Sequence, residues 1–129
     1  MKTYNYKYNK YKNEKAVLDG IVFDSKRERD RYATLKLMER AGHIKDLQLQ
    51  VKFVLIPTQY EEIQRYGKKG QTLKPGRRVI EKETAYYADF VYKVGDETVV
   101  EDTKGHKTEE YKIKRKLMLL MHGIRIQEV

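Results

Sequence analysis

Residues 85–104 read AYYADFVYKVGDETVVEDTK, and this stretch decides the fold. Residues 85–94 are rich in aromatic and β-branched side chains, which suit a half-buried strand. Gly95-Asp96 supplies a turn, and residues 98–104 run back as the partner strand. The hairpin carries charge in unexpected places: Asp89 in mid-strand, then Asp102-Thr103-Lys104 at the end of the returning strand. Side chains alternate along a strand, so Asp102 and Lys104 are expected on one face, with Glu101 and Thr103 pointing away. Pairing about Gly95 brings Asp89 beside Asp102. Two adjacent carboxylates repel unless a cation or a proton sits between them. Hard oxygen ligands suit Mg²⁺ or Mn²⁺. Such an ion acidifies bound water and offsets charge on a scissile phosphate, while Lys104 orients the attacking water or stabilises the transition state. The competing reading is a surface hairpin with an Asp102–Lys104 salt bridge. The same Asp/Glu-x-Lys pattern recurs at Asp24-Ser25-Lys26 and Glu110-Tyr111-Lys112. Only the copy at Asp102 ends an apolar strand that faces another mid-strand acid.

Upstream, residues 16–23 (AVLDGIVF) form two short apolar runs around Asp-Gly, a hairpin-turn dipeptide. Asp24-Ser25 offers an N-cap, and Ser25 with Glu28 has capping-box spacing, opening a helix that runs to about Ala41 before Gly42. Glu28, Tyr32 and Leu35 fall within roughly 60° on that helix, which aims a carboxylate at the sheet. A buried charge needs a partner, and either the capping box or a metal would use this one. Residues 46–56 alternate, with Leu47, Leu49, Val51, Phe53 and Leu55 on one side and Gln48, Gln50 and Lys52 on the other. Gln50 is either a metal or water ligand or a plain surface glutamine. Residues 57–82 break the pattern and are expected to form a basic, mobile hairpin insertion, with Gly67-Lys68-Lys69-Gly70 and Pro75-Gly76-Arg77-Arg78 as turn chemistry. Thr108-Glu109-Glu110 opens a second helix with acid in its first turn. Its expected apolar stripe is Ile113, Leu117 and Leu120; Gly123 ends it, and a closing strand follows. His43, His106 and His122 sit at helix ends or in a loop. The expected fold class is α/β: a short hairpin, then helix, three strands, helix and strand around a mixed central sheet.

The chain has 129 residues, one domain's worth, with 40% hydrophobic and 36% charged side chains. There is no cysteine for a disulfide framework or thiolate zinc site, and no apolar run long enough for a membrane span or signal-peptide core. A soluble intracellular protein is expected. Lys plus Arg total 28 against 19 Asp plus Glu, a net charge of +9. That excess favours nucleic acid first and an acidic membrane surface second. Residues 1–15 interleave lysine with tyrosine and are expected to form a flexible arm ahead of a single domain over 16–129. Lys68, Lys69, Arg77, Arg78, Lys107, Lys112 and Arg115 are the candidate nucleic-acid contacts; a solvated basic surface is the alternative.

Asp89, the Asp102-x-Lys104 triplet and Glu28, in this element order, resemble the PD-(D/E)XK endonuclease superfamily. The runs FDSKRERDRYATLKLMERAGHIKDLQLQVKF, YYADFVY and VVEDTKGHKTEEYKIKRKL are similar to a phage and prophage family within it, domain of unknown function 1064. The proline usual before the first Asp is Ala88 here, and Asp102 stands where Glu or Gln is common. The resemblance implies a restriction-endonuclease-like core and a Mg²⁺-dependent (or Mn²⁺-dependent) endonuclease. It makes Asp89, Asp102 and Glu28 metal ligands, Lys104 the catalytic lysine and Gln50 an accessory residue. By analogy it further implies structure-selective cutting of branched DNA such as Holliday junctions, a homodimer, and the cytoplasm of a bacterial host. A non-catalytic nucleic-acid-binding protein on the same scaffold, and a protein-interaction factor, are the alternatives.

Overall fold

The structure is a computed structural model and describes residues 14–129. The basic arm expected over residues 1–15 therefore lies, up to residue 13, outside the described residues. β1 (Ala16–Leu18) and β2 (Ile21–Phe23) form the expected hairpin. Its turn residues Asp19 and Gly20 are both left-handed (φ 52° and 74°), which matches the twist of the flanking strands. α1 (Lys26–Arg40) starts where the Glu28 amide donates to Ser25 Oγ at 3.1 Å, and its buried residues are the expected Glu28, Tyr32 and Leu35.

β3 (Lys45–Ile56), β6 (Thr84–Val94), β7 (Glu97–Asp102) and β8 (Gln127–Glu128) make one sheet in that order. β3–β6 and β6–β7 are antiparallel and β7–β8 is parallel, so the sheet is mixed, as expected. Between β3 and β6 the chain leaves the sheet as a separate two-stranded ribbon, β4 (Gln59–Tyr66) and β5 (Thr72–Glu81). α2 (Glu109–His122) is capped by Thr108, whose Oγ1 accepts from the Tyr111 amide at 3.1 Å, and ends at the left-handed Gly123. Among the described residues no helix is long and apolar enough to cross a membrane.

The helices cover opposite faces of the sheet. Phe23, Tyr32, Leu35, Ile44, Phe90 and Tyr92 form one core with α1, and Val99 packs on it. Leu55, Tyr86, Ala88, Val100, Tyr111, Met118 and Ile126 form the other with α2. Val99 and Val100 are strand neighbours and so mark the two faces. Two sequence expectations change here. Leu47 and Leu49 belong to the α1 side, whereas Phe53 and Leu55 belong to the α2 side, so the alternating row of β3 does not stay on one face. β6 divides in the same way, Tyr86 and Ala88 from Phe90 and Tyr92. The crossing point is Gln50, whose backbone is left-handed (φ 51°) between the pairs Leu49–Phe90 and Val51–Ala88. A non-glycine residue held there is strained, and the kink resets which face each following side chain meets. In α2 the buried residues are Tyr111 and Met118, while Ile113 and Leu120 are exposed. The helix has apolar residues on two sides, and the sheet takes the side led by Tyr111.

Candidate active site

The kink positions the site. Asp89 lies opposite Gln50 across the β3–β6 ladder, at the point where both strands change face. The Gln50 carboxamide Nε2 donates to Asp89 Oδ1 at 3.2 Å and to Glu28 Oε1 at 3.3 Å. One amide thus ties the helix-borne acid to the strand-borne acid. Ser25 uses only the backbone of Glu28, and the carboxylate turns to Gln50, which separates the two roles that capping-box spacing had merged.

Thr103 was expected to point away from Asp102 and the site. Instead its amide and hydroxyl both donate to Asp89 Oδ2, at 2.9 and 2.8 Å. β7 ends at Asp102, so strand alternation does not govern Thr103. Asp102 is 2% exposed, and its Oδ2 accepts from Tyr86 Oη at 2.5 Å. Lys104 Nζ stands 3.4 Å from Asp102 Oδ1 and 4.5 Å from the Tyr111 ring centroid. The salt bridge of the competing reading is present, yet its acid is buried. Arg27 Nη1 donates to the Lys104 carbonyl at 3.3 Å, tying the segment that follows β7 to the first turn of α1.

The electrostatics are unbalanced. Burial, then Asp89, Asp24 and Asp102, push Glu28 up to about 7, with the Gln50 hydrogen bond opposing. Burial and then Asp89 push Asp102 up to about 7, against the pull of Tyr86 and Lys104. Burial and the Asp102 carboxylate raise the Tyr86 phenol well above its ordinary range, so it is a fixed donor. Acids raised in this way lack positive charge, and a divalent cation is the species that would supply it.

Glu28, Asp89, Thr103 and Lys104, with Asp24 and His106, line a cleft of about 410 Å³. Asp102, being buried, does not line this cleft, and among the described residues no three Asp, Glu or His side chains close around one point; the Gln50 amide stands between Glu28 and Asp89. The donor set nevertheless fits a hard cation: carboxylates, a carboxamide and a hydroxyl, with no thiolate.

Glu101, expected to be structural, is fully buried on the α1 face. Arg31 grips both of its oxygens at 2.7 Å, and Tyr92 Oη donates to it. The candidate nucleic-acid contacts scatter. Lys107 and Arg115 both pair with Glu128 at 2.7 Å, and Lys112 pairs with Glu109 at 3.0 Å. Arg78 pairs with Glu61, and Arg77 lies 4.2 Å over the Tyr60 ring. Lys68 and Lys69 sit exposed in the β4–β5 turn. Thr103, Tyr86 and Arg27 are site residues that sequence reading missed. Tyr86 alone carried a signal, as a phenol in the same strand as Asp89.

A family model described as "Protein of unknown function (DUF1064)" matches residues 8–125. No curated protein and no solved structure matches the chain.

Proposed function

We propose that this chain, which belongs to the DUF1064 family, is a metal-dependent endonuclease of the PD-(D/E)XK type that hydrolyses phosphodiester bonds in DNA. The observation that carries the reading is that Gln50 bridges Glu28 of α1 and Asp89 of β6, with the buried Asp102 of β7 close enough to be repelled by Asp89 and Lys104 alongside. Two of these acids are held near pH 7 by burial and mutual repulsion. An acid cluster this poorly neutralised costs stability and is explained by what it binds.

Asp89, Asp102 and Glu28 would hold Mg²⁺ or Mn²⁺, which supplies charge neutralisation at a phosphate and acidification of water. The chain's own groups do the rest. Asp102 and the Tyr111 ring hold Lys104, whose Nζ can donate to an attacking water or to a phosphoryl oxygen gaining charge. Gln50 presents a carboxamide between Glu28 and Asp89, where it orients either carboxylate or a water. Thr103 fixes Asp89 in rotamer and direction. The restriction-endonuclease-like reading of the fold is supported by the order of α1, β3, β6, β7, α2 and β8 once the ribbon is set aside.

Branched DNA as substrate, a phage or prophage origin and a cytoplasmic location in the bacterial host belong to the same proposal and rest on the family resemblance. A homodimer would place two such sites for paired cuts, and the exposed Ile113, Leu119, Leu120 and Met121 of α2 offer it an apolar face.

The test is cleavage of four-way, flap, duplex and single-stranded DNA with and without Mg²⁺ or Mn²⁺. Wild type should cut at least one substrate only with metal. Asp102→Asn and Lys104→Ala should each lose about 10²–10³-fold in rate while staying folded. Equal cutting by both variants, or no cutting of any substrate by wild type, overturns the assignment.

A further inference from the structure

The β4–β5 ribbon has no part in the acidic site, and its charge is unevenly distributed. Its inner half is self-neutralised: Glu61 pairs with Arg78, Glu62 stands opposite Arg77, and Arg77 stacks on Tyr60. Its outer half, residues 63–76, carries Arg65, Lys68, Lys69 and Lys74 and no carboxylate at all. None of these four cations forms an ion pair among the described residues.

The outer half is also built to hold its shape. The tip closes through Gly70 N to Gly67 O at 3.0 Å and Gly67 N to Gln71 O at 2.8 Å, and Gln71 Oε1 accepts from Lys69 N at 3.1 Å. Arg65 crosses to the facing strand over Gly76, where an added Cβ would lie 2.8 Å from the arginine Cδ. Glycine at that position lets the long side chain lie across the ribbon. Among the described residues the ribbon pairs with no other strand, and Pro57, lacking an N–H, interrupts the ladder at its root.

We propose that the outer half of this ribbon is a duplex-DNA-binding arm that enters the major groove and neutralises the phosphates on its walls. The proposal deepens the nuclease reading and rests on DNA being the substrate. A two-stranded ribbon fits a groove about 12 Å wide, and the four residues of β4 in the outer half reach roughly 14 Å, about four base pairs of groove. The groove's walls carry the charge that four unpaired cations seek. Single strands are bound chiefly by stacking platforms, and this half exposes a single aromatic ring, Tyr66. A lipid surface would call for apolar anchors at the tip, whereas residues 67–71 are Gly-Lys-Lys-Gly-Gln and only Tyr66 and Leu73 are exposed large apolar residues of the outer half, beside the tip.

The experiment is binding of a blunt duplex about two turns long by the full chain in EDTA, by fluorescence anisotropy across a salt series. A variant combining Arg65→Gln, Lys68→Gln, Lys69→Gln and Lys74→Gln should lower the slope of log K against log salt by about 3–4. It should also lose roughly tenfold or more in affinity at low salt, with an unchanged melting temperature. Arg77→Gln with Arg78→Gln should move the slope by less. An unchanged slope in the fourfold variant overturns the arm, as does equally tight wild-type binding to a single strand or to phosphatidylserine vesicles. Duplex binding without cleavage by wild type overturns the nuclease reading and leaves the arm standing, which keeps the two failures apart.

Discussion

Glu101 and Asp102 are neighbours on β7, both buried, and they face opposite sides of the sheet with opposite outcomes. On the α1 side Arg31 closes a two-pronged pair on Glu101, and Tyr92 adds a third donor. On the α2 side Asp102 has a phenol and one ammonium at 3.4 Å, with Asp89 pushing against it. The same residue chemistry therefore holds the structure together on one face and stays short of positive charge on the other. Charge compensation distinguishes these two acids; depth of burial does not.

The comparison breaks most visibly at Arg31. Arg31→Ala strands a fully buried carboxylate and should cost about 3–5 kcal/mol in denaturant unfolding. A loss under about 1 kcal/mol would mean that Glu101 is no better compensated than Asp102.

The acids of the site should respond to pH with the opposite sign. Glu28 and Asp102 sit near 7 in the folded chain and at ordinary carboxylate values when unfolded, so between about pH 4 and pH 7 the folded state holds the extra protons. Metal-free stability from these groups is present at the acid end of that window and lost as pH rises through it. Glu28→Gln with Asp102→Asn mimics the protonated pair. It should match wild type near pH 4 and exceed it above pH 7.5 by an amount on the order of 1–3 kcal/mol. Mg²⁺ should raise the wild-type melting temperature at pH 8 and leave the double variant unmoved. A constant difference across pH would show that the two acids are compensated after all.

The smallest effect sharpens the contrast within the site. Thr103→Val keeps the amide donor to Asp89 and removes the hydroxyl. Unfolding should change by about 1 kcal/mol and cleavage by roughly tenfold, with metal dependence retained. No change in cleavage would assign the positioning of Asp89 to Gln50 and the amide alone.

Much of this was legible beforehand because it is local. Asp19-Gly20 forms its turn because both residues tolerate positive φ, Ser25 caps because a hydroxyl reaches the third amide, and Glu28 shares a stripe with Tyr32 and Leu35 because the helix repeats every 3.6 residues. The pairing of β6 with β7 about Gly95, and with it the approach of Asp89 to Asp102, followed from alternation and one turn.

Other features depend on contacts between distant segments. The period-two pattern of β3 runs unbroken through Gln50, so nothing local reveals that the strand changes face there. α2 offers two apolar sides, and only the sheet beneath it selects Tyr111 and Met118 over Ile113 and Leu120. Thr103 turns to Asp89 because the strand has already ended, and Glu128, brought to the edge by parallel pairing with Asp102, takes up Lys107 and Arg115.

By itself, then, the sequence determined which residues are charged, where the chain turns and which acids ride on which elements, since each depends on a few bonded neighbours. Tertiary structure alone decided which of those charges find a counter-charge. That depends on the direction of side chains across a kinked sheet, and direction is set by packing.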